Sequence, residues 1–189
     1  MPRSTPEALA LLEFSSIGRG ARVVDDIAKK APVDLHTALP VSSGKFLLVF
    51  TGDVGPVEES YREGLAAGGE AVVNKLLLPQ VHPDVVAALE KRLEKRDVDA
   101  LAIVESSSLS TTVGAADAAA KAAEIRLLAM RLGQGIGGKG FFTFTGSHSD
   151  VQAGIAAAVE VAERDKTLLG VEIIPRPSPE AVRTFTGDS

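Results

Sequence analysis

The chain has 189 residues, 45% of them hydrophobic and 24% charged, with a formal net charge of −5; these are the proportions of a globular protein able to bury its own core. It contains no cysteine, which excludes disulfides, thiolate metal sites, iron–sulfur clusters and a cysteine nucleophile. The acidic balance and the lack of tryptophan speak against nucleic-acid binding, which draws on clustered Lys and Arg and on stacking aromatics. No uncharged apolar run approaches the ~20 residues needed to cross a bilayer, and the first residues lack the apolar stretch of a secretory signal; a cytoplasmic protein away from the membrane is expected.

Residues 1–7 read as an N-terminal arm. Ala8–Phe14 is a short apolar run and reads as a buried strand. Ala21, Val24, Ala28 and Ala31 recur at helical spacing with charges between them, which predicts an amphipathic helix with those four toward the core. Val33–Leu39 and Lys45–Thr51 read as strands paired through the turn that includes Val41, Ser42, Ser43 and Gly44. Val57, Tyr61, Leu65 and Val72 mark a second helix, with Pro56 suited to its first turn, and Leu76–Leu78 closes the set as a strand. Residues 91–98 form a charged linker.

The second half repeats the first. LALLEFSS (9–16) aligns with LAIVESSS (101–108) at an offset of 92, and the match runs on through Asp25/Asp117, Lys29/Lys121 and Leu35/Leu127. After a two-residue insertion GKFLLVFTG (44–52) answers GKGFFTFTG (138–146), and LPQVHP (78–83) answers IPRPSP (174–179). Each copy therefore reads β-α-β-β-α-β, helices packed on a sheet in an α/β, α+β sandwich. Val171–Ile174 is the last strand of the second copy, and Ser149 is the expected cap of its second helix.

The glycine-rich stretch 133–139 meets most of the phosphate-loop pattern, but Gly140 stands where a Ser or Thr would hold Mg²⁺. An aromatic, β-branched run follows instead of a helix, and the first copy has no counterpart, so a hairpin turn is expected. Ser147-His148-Ser149-Asp150 holds the residue types of a hydrolase triad, yet contiguous residues do not take that geometry; a helix-capping turn is expected. His36, His82 and His148 fall at unrelated positions in the repeat. Glu13 and Glu105 are repeat-related and are expected to share a structural role, since a catalytic pair needs two different environments. No catalytic residue, metal or cofactor is expected.

In their order, in two copies, these pieces resemble the bacterial microcompartment (BMC) shell family in its tandem, unpermuted form, BMC-T. The resemblance implies two ferredoxin-like BMC domains, residues 8–90 and 99–185, followed by a tail, 186–189. It implies a homotrimer, single or stacked as a dimer of trimers, in which six domains form a pseudohexagonal tile. Such a tile joins hexameric and pentameric shell proteins in the microcompartment shell and has no enzymatic activity. Asp25, Lys29, Asp117 and Lys121 would lie at the tile edge with Pro175 and Arg176; Gln80 stands where the first copy would carry the matching arginine. Val41, Ser42, Ser43 and Gly44, with Gly135, Ile136 and Gly137, would line a central pore. Relatives with a cysteine in the first turn hold an iron–sulfur cluster; Ser42 occupies that place here, and a hydroxyl-lined opening would pass small polar metabolites. The alternative is a trimeric regulatory protein that binds a small anion at Gly133–Gly140.

Overall fold

The computed structural model describes residues 6–94 and 97–185 and divides into two units between Pro83 and Asp84. The first contains β1 (Ala8–Phe14), α1 (Ile17–Lys30), β2 (Asp34–Val41), β3 (Lys45–Gly52), α2 (Val54–Gly68) and β4 (Val72–Leu78). Its strands form one antiparallel sheet in the order β2-β3-β1-β4. In the second unit, β5 (Ala100–Ser106), α4 (Leu109–Ala122), β6 (Arg126–Leu132), β7 (Gly140–Thr145), α5 (His148–Arg164) and β8 (Leu168–Pro175) follow the same path, with sheet order β6-β7-β5-β8. Two short helices had no counterpart in the sequence reading: α3 (Pro83–Leu89) and α6 (Pro179–Phe185). At seven residues each, they span barely two turns, too few for a helical period to stand out in the sequence. Apart from its first residue, α3 belongs to the second unit, whereas the sequence reading carried the first domain to residue 90.

β1 and β3 are central strands, which explains their continuous apolar runs. Ala8, Ala10, Leu12 and Phe14 alternate toward the helices and meet Phe46, Leu48 and Phe50 of β3, Val23 and Ile27 of α1, and Val57 of α2. Leu9, Leu11, Leu47 and Val49, on the opposite face, are fully buried too. β2 is an edge strand, where Pro40 is tolerated because a missing N–H costs no ladder bond.

The buried face of α1 is Gly20, Val23 and Ile27, not the predicted Ala21, Val24, Ala28 and Ala31: Val24 and Ala31 are half-buried, and Ala21 and Ala28 are exposed. Gly20 sets the orientation. A Cβ built on it would lie 2.5 Å from Phe46 Cδ1, so only glycine lets the helix approach that ring. The second unit exchanges the sizes. Thr112 takes the helix position and Gly140 the strand position, where a Cβ would lie 2.3 Å from Thr112 Oγ1. In α2 the predicted Tyr61 and Leu65 are half-buried beside buried Val57, Ser60, Gly64 and Gly68, while Val72 opens β4 instead. The cap of α5 is Ser147, not Ser149: the Ser147 hydroxyl accepts the Asp150 N–H at 3.2 Å.

Candidate pore turns and helix-end ion pairs

β2 and β3 are joined by a single 3₁₀ turn, Ser42–Gly44. Val41 is buried, Ser42 half-buried, and Ser43 and Gly44 exposed. Ser43 has φ 69 and Gly44 φ 72, so the turn places a serine in the left-handed region, at a steric cost that glycine escapes. A tight reversal there holds both hydroxyls at the tip of the hairpin. The matching loop between β6 and β7, residues 133–139, is longer. Gly133, Gly135, Gly137 and Gly138 all have positive φ, and the loop closes through the Gly133 N–H to the Lys139 carbonyl at 2.9 Å. Ile136 is half-buried within it. The residues after this loop form β7, a strand, so no helix presents amides to a phosphate.

Behind each turn stands an ion pair that the sequence reading did not join. Lys45, the first residue after the short turn, lies 3.3 Å from Glu13 of β1. Lys139, the last residue of the long loop, lies 3.2 Å from Glu105 of β5. The carboxylates were recognised as repeat-related and the lysines sit in the repeated Gly-Lys dipeptide, so the signal lay in both motifs; what links them is the β1–β3 and β5–β7 register. The environments differ. Glu13 is buried and its Oε1 has no hydrogen-bond partner, whereas Glu105 is part-exposed. A buried carboxylate stripped of water depends on its cation, so Lys45 and the root of the serine turn are held to the middle of the sheet.

The predicted edge residues pair in the same manner in both units. On the last turn of α1, Lys29 meets Asp25 at 2.5 Å; on the last turn of α4, Lys121 meets Asp117 at 2.5 Å. Asp117 is buried while Asp25 is exposed, and both lysines remain accessible. A lysine near a helix C-terminus is favoured by the peptide dipoles, and its partner one turn earlier fixes where the ammonium points. An exposed i,i+4 pair such as Asp25–Lys29 adds only about 0.3–0.5 kcal/mol, so stability alone does not explain it, whereas the buried Asp117 depends more strongly on Lys121. Gln80 and Arg176 lie on separate elements, just beyond β4 and β8, and both are exposed. Arg176 has φ 49 and its N–H donates to the Asp99 carbonyl at 2.9 Å; exposed Pro175 precedes it.

Of the polar groups weighed for catalysis, Ser147, Asp150 and His36 make contacts within the fold. The Ser147 hydroxyl caps α5 and also lies 2.5 Å from Asp150 Oδ2, and His36 Nε2 lies 2.5 Å from Thr51 Oγ1. Among the described residues no group of three His, Asp or Glu is arranged to hold a metal ion, and no helix is long and apolar enough to cross a membrane.

Two tandem α+β units of one topology, each with a lysine displayed at a helix end and a turn tied to its sheet by a Glu–Lys pair, define a duplicated-domain protein with repeated surface features. The sequence pattern of the BMC domain matches residues 8–81 and again 100–177. The chain belongs to the bacterial microcompartment domain family, in its tandem form. It is 35% identical over 173 residues to the bacterial microcompartment shell protein PduT of Citrobacter freundii, covering 90% of this chain and 93% of that one. It is 27% identical to the carboxysome assembly protein CcmO of Synechococcus elongatus, over 90% of this chain and 65% of that one. Among solved structures, a microcompartment protein from Desulfitobacterium hafniense superposes with a TM-score of 0.89 at 36% identity, over 94% of this chain and 99% of the other. A fused permuted hexameric shell protein from the RMM microcompartment shares the fold, with a TM-score of 0.62 at 22% identity over 84% and 85% of the two chains.

Proposed function

We propose that the chain is a structural shell protein of a bacterial microcompartment, and that three copies close into a pseudohexagonal tile with a central pore. The observation that carries this reading is the likeness over almost the whole chain to a shell protein matched along 93% of its own length and to a microcompartment protein whose fold superposes along 99% of its chain. Three copies of two units give six domains, and a contact that joins unlike surfaces closes into a ring of this kind. Val41, Ser42, Ser43 and Gly44 of each copy line the opening, with Gly135, Ile136 and Gly137 beside them. Hydroxyls that donate and accept hydrogen bonds suit the passage of small polar metabolites. Lys29 and Lys121, oriented by Asp25 and Asp117, lie at the tile edge with Pro175, Arg176 and Gln80 and meet neighbouring hexameric or pentameric shell proteins. The role is one of assembly and passage, without catalysis.

The native mass tests the reading. Light scattering or native mass spectrometry should give three times the 19.6 kDa chain, or six times for stacked trimers. A stable monomer or dimer leaves no threefold axis and no pore, and would remove the proposal.

A further inference from the structure

In the second unit α3 lies at the start of the edge strand β6. Asp84 Oδ2 accepts the backbone N–H of Leu127 at 3.3 Å, and Oδ1 lies 3.9 Å from Arg126 Nη1. An outward-facing N–H of an edge strand is thereby satisfied. Val85, Val86 and Ala88 of α3 are buried, and Leu127 is 2% exposed.

The first unit has the same edge in β2, with Leu35 in the place of Leu127, but Leu35 is 41% exposed. The helix that corresponds to α3 is α6: Pro179, Glu180, Val182 and Phe185 answer Pro83, Asp84, Val86 and Leu89 at an offset of 96. None of the α6 residues is fully buried. Its C-terminal end is fastened to its own sheet, where the buried Thr143 hydroxyl donates to the Phe185 carbonyl at 2.9 Å and the Phe185 ring stands edge-on to Phe141 at 6.4 Å. Its other end carries Glu180, whose side chain is 74% exposed and meets Arg183 of the same helix at 3.1 Å, a surface pair weak enough to yield to a new partner. The chain thus holds an open strand edge and an open helix whose counterparts meet each other.

We infer that α6 of one copy brackets β2 of a second copy, with Glu180 accepting the Leu35 backbone N–H and Ala181 and Val182 covering the Leu35 side chain. The charges fit with their order exchanged: Asp34 stands where Arg126 stands in the second unit, and Arg183, one turn along α6, supplies the cation. This rests on the trimeric tile proposed above and names the fastening between its copies. A head-to-tail contact of this kind, made three times, closes a ring.

Because the chain has no cysteine, the contact can be read by an introduced pair. A Leu35→Cys, Ala181→Cys double variant is oxidised and run on a non-reducing denaturing gel, beside each single variant and beside a Val85→Cys, Leu127→Cys control that should close within one chain. Disulfides form only where Cα atoms approach to about 4.4–6.8 Å, so the bracket predicts covalent dimers and trimers from the double variant alone. Glu180→Lys, at an exposed site, supplies a second readout by native mass spectrometry. Loss of a hydrogen bond to a charged group should raise the concentration at which trimers half-dissociate about tenfold or more. If native trimers persist, no interchain species form and Glu180→Lys leaves the dissociation unchanged, the bracket is wrong and the tile stands. If the unmodified protein is monomeric at every concentration, the tile and the bracket are refuted together.

Discussion

Gly20→Ala is the most direct probe of how this fold is packed, because two opposed effects fix the sign of the outcome. Gly20 sits inside α1, where replacing glycine with alanine ordinarily stabilises by about 0.5–1 kcal/mol through helix propensity and a less free unfolded chain. Here the new methyl would lie 2.5, 2.6 and 2.8 Å from Cδ1, Cγ and Cβ of Phe46. The Phe46 ring is buried against the sheet core and has little room to yield. Overpacking of this kind costs about 1–3 kcal/mol, so the clash outweighs the propensity gain. All three contacts are under 3.0 Å, which places the cost in the upper part of that range, about 2–3 kcal/mol, and leaves a net loss of about 1–2.5 kcal/mol, or about 2–10 °C in melting temperature for a chain of this length.

A double-mutant cycle isolates the cause. Phe46→Gly recreates the strand residue found opposite Thr112 in the second unit and removes every clashing atom. It costs about 4–6 kcal/mol by itself, as the loss of a buried aromatic plus the cost of a glycine in a strand. In that background Gly20→Ala should stabilise, and Gly20→Thr, which completes the exchange to the arrangement of the second unit, should do so as well. Urea unfolding followed by circular dichroism measures each corner. A neutral or stabilising Gly20→Ala in the unmodified protein, or a cycle in which the two changes simply add, would refute the steric account.

Ser147→Ala should destabilise by about 1 kcal/mol, the loss of a helix cap, while Ser149→Ala should leave the melting temperature almost unchanged; thermal unfolding of the two variants separates them. Lys29→Ala should leave native trimers intact yet reduce their association into sheets, as seen by electron microscopy and sedimentation, since the exposed Asp25–Lys29 pair contributes little to the fold; Lys121→Ala should also lower the melting temperature, because it leaves the buried Asp117 without its cation. Ser42→Trp should lower the flux of small polar solutes through reconstituted shells without changing the native mass; unchanged flux would remove Ser42 from the pore. Tyr61 is the only tyrosine and there is no tryptophan, so ultraviolet titration reads it alone. Burial raises its pKa above the ordinary 10.0. The folded state therefore favours the neutral phenol, and that contribution to stability is full below pH 10.0 and lost as pH rises through the folded-state value. A midpoint at or below the ordinary value would contradict the burial.

The repeat carried most of the fold into view. Once LALLEFSS and LAIVESSS are aligned, every strand and long helix of one copy constrains the other, and the matching Asp–Lys spacings at Asp25/Lys29 and Asp117/Lys121 place both ion pairs on helix ends. What the sequence hid was set by contacts that apolar spacing does not encode. The buried face of α1 is led by a glycine, which carries no hydrophobic signal, so the alanines next to it produced a false stripe. Ser147 and Ser149 are equal as cap formers, and only the position of the Asp150 N–H separates them. The Glu13–Lys45 and Glu105–Lys139 pairs needed the strand register before residues 32 and 34 apart could be joined.

The two copies also show which features the fold requires and which it merely tolerates. In the core, one steric solution is written twice in opposite residues: Gly20 with Phe46, Thr112 with Gly140. The two large residues differ in size, so what the copies share is a glycine on one side of a close helix–strand approach, with the larger side chain crossing from whichever element carries it. The surface behaves the other way. Asp and Lys recur at the same helix positions with the same 2.5 Å contact, although the exposed Asp25–Lys29 pair adds too little stability to be needed for folding. Both lysines stay accessible at the same helix end although the burial of their partners differs, and this is what the tile proposed above requires, since edges met by like neighbours make the same demand of both units.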